Sequence, residues 1–205
     1  MQIVELRELT KSRVMIQTDQ NGVFVLYKKE LIEYEIRQDQ DLSEESYSKI
    51  ITELLPRRAK LRCMNLLKSR DYTEKQIRDK LNRGFYPETV IEEAVSYIKS
   101  YKYIDDYRYA RAYIGFQSGS KSRKQIENEL CKRGISKSDL EHAYEDACEE
   151  DKLMTEEKLI EKLLCKKKYD KNTASFEEKQ KMTAFLYRKG FSLEKIRRIL
   201  QNDSE

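Results

Sequence analysis

Tryptophan is absent from the 205 residues, proline occurs twice, glycine six times and histidine once. So little proline and glycine suits a helical chain better than a loop-rich one, and 38% charged residues with a mean hydropathy of -0.86 mark it as water-soluble. No apolar run approaches the ~20 residues of a membrane helix and nothing resembles a signal peptide, so no membrane partner and a cytoplasmic location are expected. A lone histidine, His142, cannot supply a zinc site with clustered His/Cys ligands or a Cys/His or Ser/His nucleophile pair. Cys63, Cys131, Cys148 and Cys165 stand far apart without a CxxC pair, and are expected to act as small, partly buried apolar residues. With no glycine-rich phosphate loop and no recognisable metal-binding carboxylate motif, neither an enzyme nor a cofactor or metal is expected.

What is present is a phrase used three times. It reads Ile77-Arg-Asp-Lys-Leu81-Asn-Arg-Gly84-Phe85, then Ile126-Glu-Asn-Glu-Leu130-Cys-Lys-Arg-Gly134-Ile135, then Met182-Thr-Ala-Phe-Leu186-Tyr-Arg-Lys-Gly190-Phe191. An apolar residue at i and leucine at i+4 make one buried stripe, cations in the last turn suit the negative end of the helix dipole, and glycine is expected in the left-handed C-terminal cap. A further helical pattern follows each glycine, from Val90 to Ile98, Leu140 to Ala147, and Leu193 to Leu200. The first copy is one residue shorter before its glycine. Glycines 50 and then 56 residues apart fit a three-helix unit rather than a two-helix one.

The predicted fold is mainly α, a tandem array of three three-helix repeats, with a small N-terminal antiparallel β element. Residues 3 to 9 and 13 to 18 are β-compatible, and Asp19-Gln-Asn-Gly22 is a hairpin turn signal before residues 23 to 27, which reads as an antiparallel sheet of two or three strands. Such a sheet is marginal alone and must lie against the helices that follow. Residues 28 to 37 carry Leu31, Ile32 and Ile36 at helical spacing, residues 38 to 42 are a polar linker, and Ser43 caps a helix bearing Tyr47, Ile50, Ile51, Leu54 and Leu55. Pro56 marks a break or a new helix start. The expected divisions are 1–55 for the β element and its linking helices, then repeats at 56–102, 103–151 and 152–205. Their helices are expected at 57–69, 73–82 and 87–99, at 105–116, 122–133 and 137–149, and at 155–168, 176–189 and 193–201.

Net charge alternates along these divisions. Residues 1–52 carry -3, 53–102 carry +5, 103–151 carry -3 and 152–205 carry +5. This is weaker than the single-sign bias of a dedicated nucleic-acid binder, yet it permits phosphate contacts at the two outer repeats.

The most distinctive string is Tyr103-Ile-Asp-Asp-Tyr-Arg-Tyr-Ala-Arg-Ala-Tyr-Ile114. Asp105 or Asp106 can cap a helix on which Tyr109 and Tyr113 lie on the core face at i and i+4, Ala110 lets a neighbour approach, and Arg108 and Arg111 point away. Core packing is likewise expected of Tyr97 and Tyr144. Tyrosines could instead stack on single-stranded bases, with Tyr101, Tyr103 and Tyr107 the least settled as core residues.

Tyr-Ile-Asp-Asp-x-x-Tyr-Ala-x-x-Tyr at residues 103 to 113 resembles the most characteristic motif of the RecX regulatory family. As in that family, it is followed by a Gly/Ser/basic segment from Gly119 and the phrase ending at Gly134. Leu66-Leu-Lys-Ser-Arg-Asp-Tyr-Thr73 with Gln76, Ile77 and Leu81 is similar to the family's first helix junction. The likeness spans about residues 57 to 202. It implies three tandem three-helix units in a long curved body that binds the RecA nucleoprotein filament, lodging in its groove or blocking its extension. It implies modulation, chiefly inhibition, of RecA's recombinase, ATPase and co-protease activities in DNA repair and the SOS response.

Basic residues recur at equivalent helix ends. The set expected to touch RecA or DNA is Arg78 and Arg83 in the first repeat, Arg108, Arg111, Lys121, Arg123, Lys124, Lys132 and Arg133 in the second, and Arg188 and Lys189 in the third. Taken singly, each also fits an ordinary solvated face. As a set they suit phosphate or an acidic protein surface. Direct contact with single- or double-stranded DNA remains open at this stage, and a monomer is expected because the array needs no symmetric partner to close its core. The alternative is a helix-turn-helix-like DNA-binding protein acting without RecA, and a further one is a helical-repeat scaffold for another protein.

Overall fold

A computed structural model describes residues 1–20, 22–149 and 153–201. The chain divides into two compact units, residues 1–105 and a second that begins at Asp106.

The first unit opens with strands β1 (Ile3–Glu8), β2 (Arg13–Thr18) and β3 (Val23–Tyr27), paired antiparallel in the order β1-β2-β3. Period-two alternation sends Val14, Ile16 and Thr18 of β2 inward. The Thr18 hydroxyl, though buried, accepts a bond from the Gly22 amide at 3.1 Å, which closes the turn into β3. Asn21, the third residue of the expected turn signal, lies outside the described residues.

Helix α1 (Lys28–Glu33) ends before the expected Arg37. Glu35 adopts φ 53°, and the Ile36 amide reaches back to the Leu31 carbonyl at 2.8 Å, so the chain reverses after one and a half turns. The reversal returns Ile36 to the core and leaves Ile32 on the surface at 80% exposure. Helix α2 (Glu44–Lys49) is capped by Ser43 as expected, the Ser46 amide lying 3.0 Å from the Ser43 hydroxyl.

From there the helix runs on through a π-helical turn (Ile50–Leu54) into α3 (Leu55–Leu67). Of the two readings of Pro56, a new helical segment is the one adopted, and the chain does not break. Proline lacks an N–H and its ring crowds the carbonyl four residues back. The widened turn, in which the Leu55 amide bonds the Ile50 carbonyl five residues back, comes immediately before that first turn of α3.

Helices α4 (Glu74–Asn82) and α5 (Glu88–Ser100) complete the triplet. Thr73 caps α4 in a reciprocal box with Gln76, and Pro87 takes the cap position of α5 rather than its first turn. One apolar cluster runs from Ile3, Phe24 and Leu26 through Ile50 and Ala59 to Ile77, Ile91 and Ile98. The sheet is therefore buried against the helices that follow it, as a marginal three-stranded element requires.

The second unit holds α6 (Asp106–Gln117), α7 (Arg123–Lys132) and α8 (Lys137–Glu149), then α9 (Glu156–Lys166), α10 (Phe176–Arg188) and α11 (Leu193–Gln201). Ala110 on α6 and Ala143 and Ala147 on α8 are buried, and these small side chains let the two helices pack closely. The described buried residues form two clusters, one around Ile114, Ile126 and Leu130 and one around Ile160, Leu186 and Phe191.

The thrice-repeated phrase closes three helices in one geometry. The amides of Tyr86, Ile135 and Phe191 bond the carbonyls of Leu81, Leu130 and Leu186 at 3.3, 3.1 and 3.3 Å. Gly134 and Gly190 take the left-handed position with φ 90°, as expected. In the first copy that position belongs to Phe85 at φ 59°, not to Gly84. The cap is counted from the buried leucine, and with one residue fewer before the glycine the left-handed place falls on the next residue. Gly84 serves a different need, since a Cβ there would lie 2.9 Å from the Tyr86 ring and 3.0 Å from the Leu81 carbonyl oxygen.

Only Cys63 behaves as the cysteines were expected to. It is fully buried on α3, where loss of solvent pushes its thiol up to about 11. Cys131, Cys148 and Cys165 are exposed, because each falls off the apolar stripe of its helix.

Candidate functional site

The tyrosine string builds a polar cluster where α6 meets α7. The core face of α6 is Ala110 and Ile114, and not the tyrosines, which correct the expectation by lying half-buried at its rim. Tyr109 and Tyr113, one turn apart, stack nearly parallel with ring centroids 6.3 Å apart. The Arg133 guanidinium from the end of α7 lies 4.3 Å from the Tyr113 centroid and donates to the hydroxyls of both rings. Lys121, just before α7, places its Nζ 2.7 Å from Glu129 and 3.2 Å from the Tyr113 hydroxyl, which in turn donates to Glu129.

Hydrogen bonds from Lys121 and then Tyr113 hold the Glu129 carboxyl below the usual glutamate range. The bond to Glu129 likewise raises the Lys121 ammonium. Tyr107 donates to Asp146 on α8, so Tyr107, Tyr109 and Tyr113 each tie α6 to another part of its triplet. Tyr97, also expected in the core, is 37% exposed and lies tilted at 53° to Tyr101 with centroids 4.9 Å apart, while Tyr144 is buried as expected.

The eleven basic residues separate into two groups. Arg78 on α4 is held by Glu74 one turn before it and by Glu92 across on α5, the latter through two bonds of 2.6 and 2.9 Å. The bonds to Glu92 lead the forces that keep its guanidinium charged. Lys121 and Arg133 belong to the tyrosine cluster. Arg123, in the first turn of α7, pairs with Glu127 at 2.7 Å and lies 4.4 Å from the Tyr144 ring centroid. These four are anchored inside their own triplets. Arg83, Arg108, Lys124, Lys132, Arg188 and Lys189 are exposed, and Arg111 is half-buried.

One group of the exposed cations is brought together by the fold. The Ser122 hydroxyl caps α7 and also donates to the Lys189 carbonyl at 2.6 Å, which joins the start of α7 to the end of α10. A Cβ on Gly190 would meet the Ser122 hydroxyl at 2.8 Å and the Lys124 side chain at 3.3 Å, so this junction demands glycine twice, by space and by its φ of 90°. Arg123, Lys124, Arg188 and Lys189 thus occupy one neighbourhood although 65 residues separate Arg123 from Arg188. Arg83 and Arg78 belong to the first unit.

Sequence reasoning missed Glu129, Glu92 and Ser122 as parts of the site. Ser122 stands at the expected start of its helix, but nothing local signals its second bond across the unit. Glu92 is 14 residues from Arg78, and Glu129 is eight from Lys121 across a helix start, so neither pair follows a helical spacing.

Among the described residues no cluster of three or more His, Cys, Asp or Glu side chains could hold a metal ion, and no helix is long and apolar enough to cross a membrane.

Three family models match in order along the chain, described as the first, second and third three-helix domains of RecX, at residues 59–97, 105–143 and 155–200. A regulatory protein RecX of Caldanaerobacter subterraneus subsp. tengcongensis is 33% identical over 166 residues, covering 80% of each chain. One from Clostridium perfringens strain SM101 is 28% identical over 98% of this chain and 96% of its own. A crystal structure of regulatory protein RecX superposes with a TM-score of 0.63 at 25% identity, over 98% of this chain and 99% of that one.

Proposed function

The chain belongs to the RecX family of regulatory proteins, and from that premise we propose that it binds the RecA nucleoprotein filament and restrains it, acting by contact and not by chemistry on a substrate. The observation that carries this reading is the match of all three three-helix domains, in order. The arrangement of the site supports it. Arg78, Lys121 and Arg133 are spent on intramolecular anchoring, which stiffens their triplets. The neighbourhood of Arg123, Lys124, Arg188 and Lys189 is the surface best suited to phosphate or to an acidic face of RecA, since its charge is held at two helix ends on one unit.

The test is RecA-dependent ATP hydrolysis on single-stranded DNA, titrated with this protein, beside a RecA-free DNA-binding control at two salt concentrations. Inhibition well below one molecule per RecA is expected, and Lys124→Glu with Arg188→Glu should weaken it. Unchanged hydrolysis together with strong, salt-sensitive DNA binding would replace this reading with a DNA-binding protein acting alone.

A further inference from the structure

Helix α10 has two faces of unequal use. Met182, Phe185 and Leu186 turn inward to the third core. The opposite face carries Phe176, Lys179, Gln180, Thr183, Ala184 and Tyr187, at i, i+3, i+4, i+7, i+8 and i+11, which is one stripe of an α-helix. It forms a groove with α11, where Leu193 and Arg197 stand one turn apart.

Three properties make this stripe unlike an ordinary solvated surface. Phe176 is 75% exposed, Tyr187 57% and Leu193 42%, so large apolar groups that could have been buried are held in water. The aromatic pair sits at the two ends, eleven residues or about 16 Å apart, with small Thr183 and Ala184 between them. The low stretch at Thr183 and Ala184, beside the flexible Lys179 and Gln180, lets another helix backbone approach while the rings close over its ends. The charged groups that line the groove are Lys179 and Arg197, and among the described residues no carboxylate joins them there. Glu178 is turned instead to its cap, bonded to the Ser175 amide at 2.8 Å.

We propose that the α10–α11 groove seats an amphipathic helix of a protein partner, apolar on its inner face and acidic at its flanks. Resting on the functional reading above, the helix belongs to the protein of the RecA filament. Charge complementarity selects that chemistry, because an acidic flank meets two cations and a basic one would be repelled. The third triplet then supplies anchoring contacts through Phe176 and Tyr187, as buried aromatics commonly do at the centre of interfaces.

The experiment measures binding of the full chain to RecA filaments on single-stranded DNA by co-sedimentation, with Ala184→Arg, Ala184→Ser and Lys179→Glu/Arg197→Glu. Ala184 is exposed, so the substitutions should leave the circular dichroism and unfolding midpoint unchanged. Ala184→Arg fills the low middle of the groove while adding positive charge. It is expected to weaken filament binding about tenfold or more, whereas Ala184→Ser binds like wild type. The double charge reversal should weaken binding as well. A groove that held nucleic-acid phosphate would bind as well or better with the added arginine, and that result overturns the proposal. Equal binding by wild type and Ala184→Arg overturns it while leaving the functional reading intact. A wild-type chain that does not bind the filament overturns both. Self-association of wild type that Ala184→Arg abolishes, read by sedimentation velocity, would assign the groove to a second copy and likewise reject the acidic partner.

Discussion

The two units are held together by different physics. In the first, strands and helices share a single apolar cluster, so Phe24 of the sheet and Ile98 of the last helix belong to one core. In the second, each triplet has its own cluster, Leu153 packs against the first of them, and hydrogen bonds cross between the triplets. Ser122 donates to the Lys189 carbonyl, the Arg123 amide meets Glu156, and Lys162 donates to the Gly119 carbonyl at 3.0 Å. Apolar burial is undirected and makes neighbouring elements cooperative, whereas a few exposed or half-buried bonds each contribute about 1 kcal/mol. A repeat array therefore need not be uniform in its coupling. The first triplet is fused to its N-terminal extension, and the second and third are latched.

Core truncations put the greatest load on this contrast. Phe24→Ala should destabilise by about 3–5 kcal/mol and should lower the amide-exchange protection of α5 together with that of the sheet. Phe191→Ala should cost a similar amount in α9–α11 while α6 and α8 keep most of their protection. Equal losses in both triplets of the second unit would show that the latch couples as strongly as a core does.

A smaller effect is expected at the latch itself. Gly190→Ala forces a non-glycine into φ 90° and against the Ser122 hydroxyl, for a cost of about 1–3 kcal/mol, read as a lower thermal midpoint of the second unit alone. Gly84→Ala, at an ordinary φ but tight against Tyr86, gives the matching measurement in the first unit.

The smallest concerns the cluster on α6 and α7. Glu129 has a folded-state pKa lowered by Lys121 and Tyr113, with Arg133 also facing it. Its stabilisation is present above the ordinary glutamate pKa of about 4.3 and is lost as pH falls through the lower folded value. Glu129→Gln should cost less than about 1 kcal/mol at neutral pH, since both partners are partly exposed, and should flatten the acid limb of the second unit's denaturant midpoint. The same acid limb persisting in the variant would mean that other carboxylates carry it.

The elements were legible wherever period and cap chemistry are local. The small antiparallel sheet, the Ser43 cap and the helices of each triplet follow from alternation, 3.6-residue spacing and a hydroxyl before the first turn. What was not legible depends on neighbours distant in sequence. Ala110 lets α8 approach as expected, yet Tyr109 and Tyr113, which sit at apolar spacing, are left at the rim of that contact. The basic residues were chosen by type and position, and their carboxylate partners decide which of them the fold occupies. Phe85 shows a subtler limit, because glycine's preference for a left-handed cap is statistical while the count from the last core leucine is geometric.

The π-helical turn at Ile50–Leu54 carries a consequence for phase. On an α-helix, residues five apart point about 140° away from each other. Ile50 and Leu55 are five apart and both buried, after which Ala59 and Cys63 follow at intervals of four. The wide turn absorbs the extra residue, so two inward stripes written in different registers become one continuous seam. The rod can thus place Tyr47 beside Phe24 of the sheet at one end and Cys63 in the helical core at the other. Forcing the same residues into regular α winding would rotate the two ends by about 100° so that one of them faces water, whereas deleting one residue of that turn would leave Ile50 and Leu55 four apart with the seam intact.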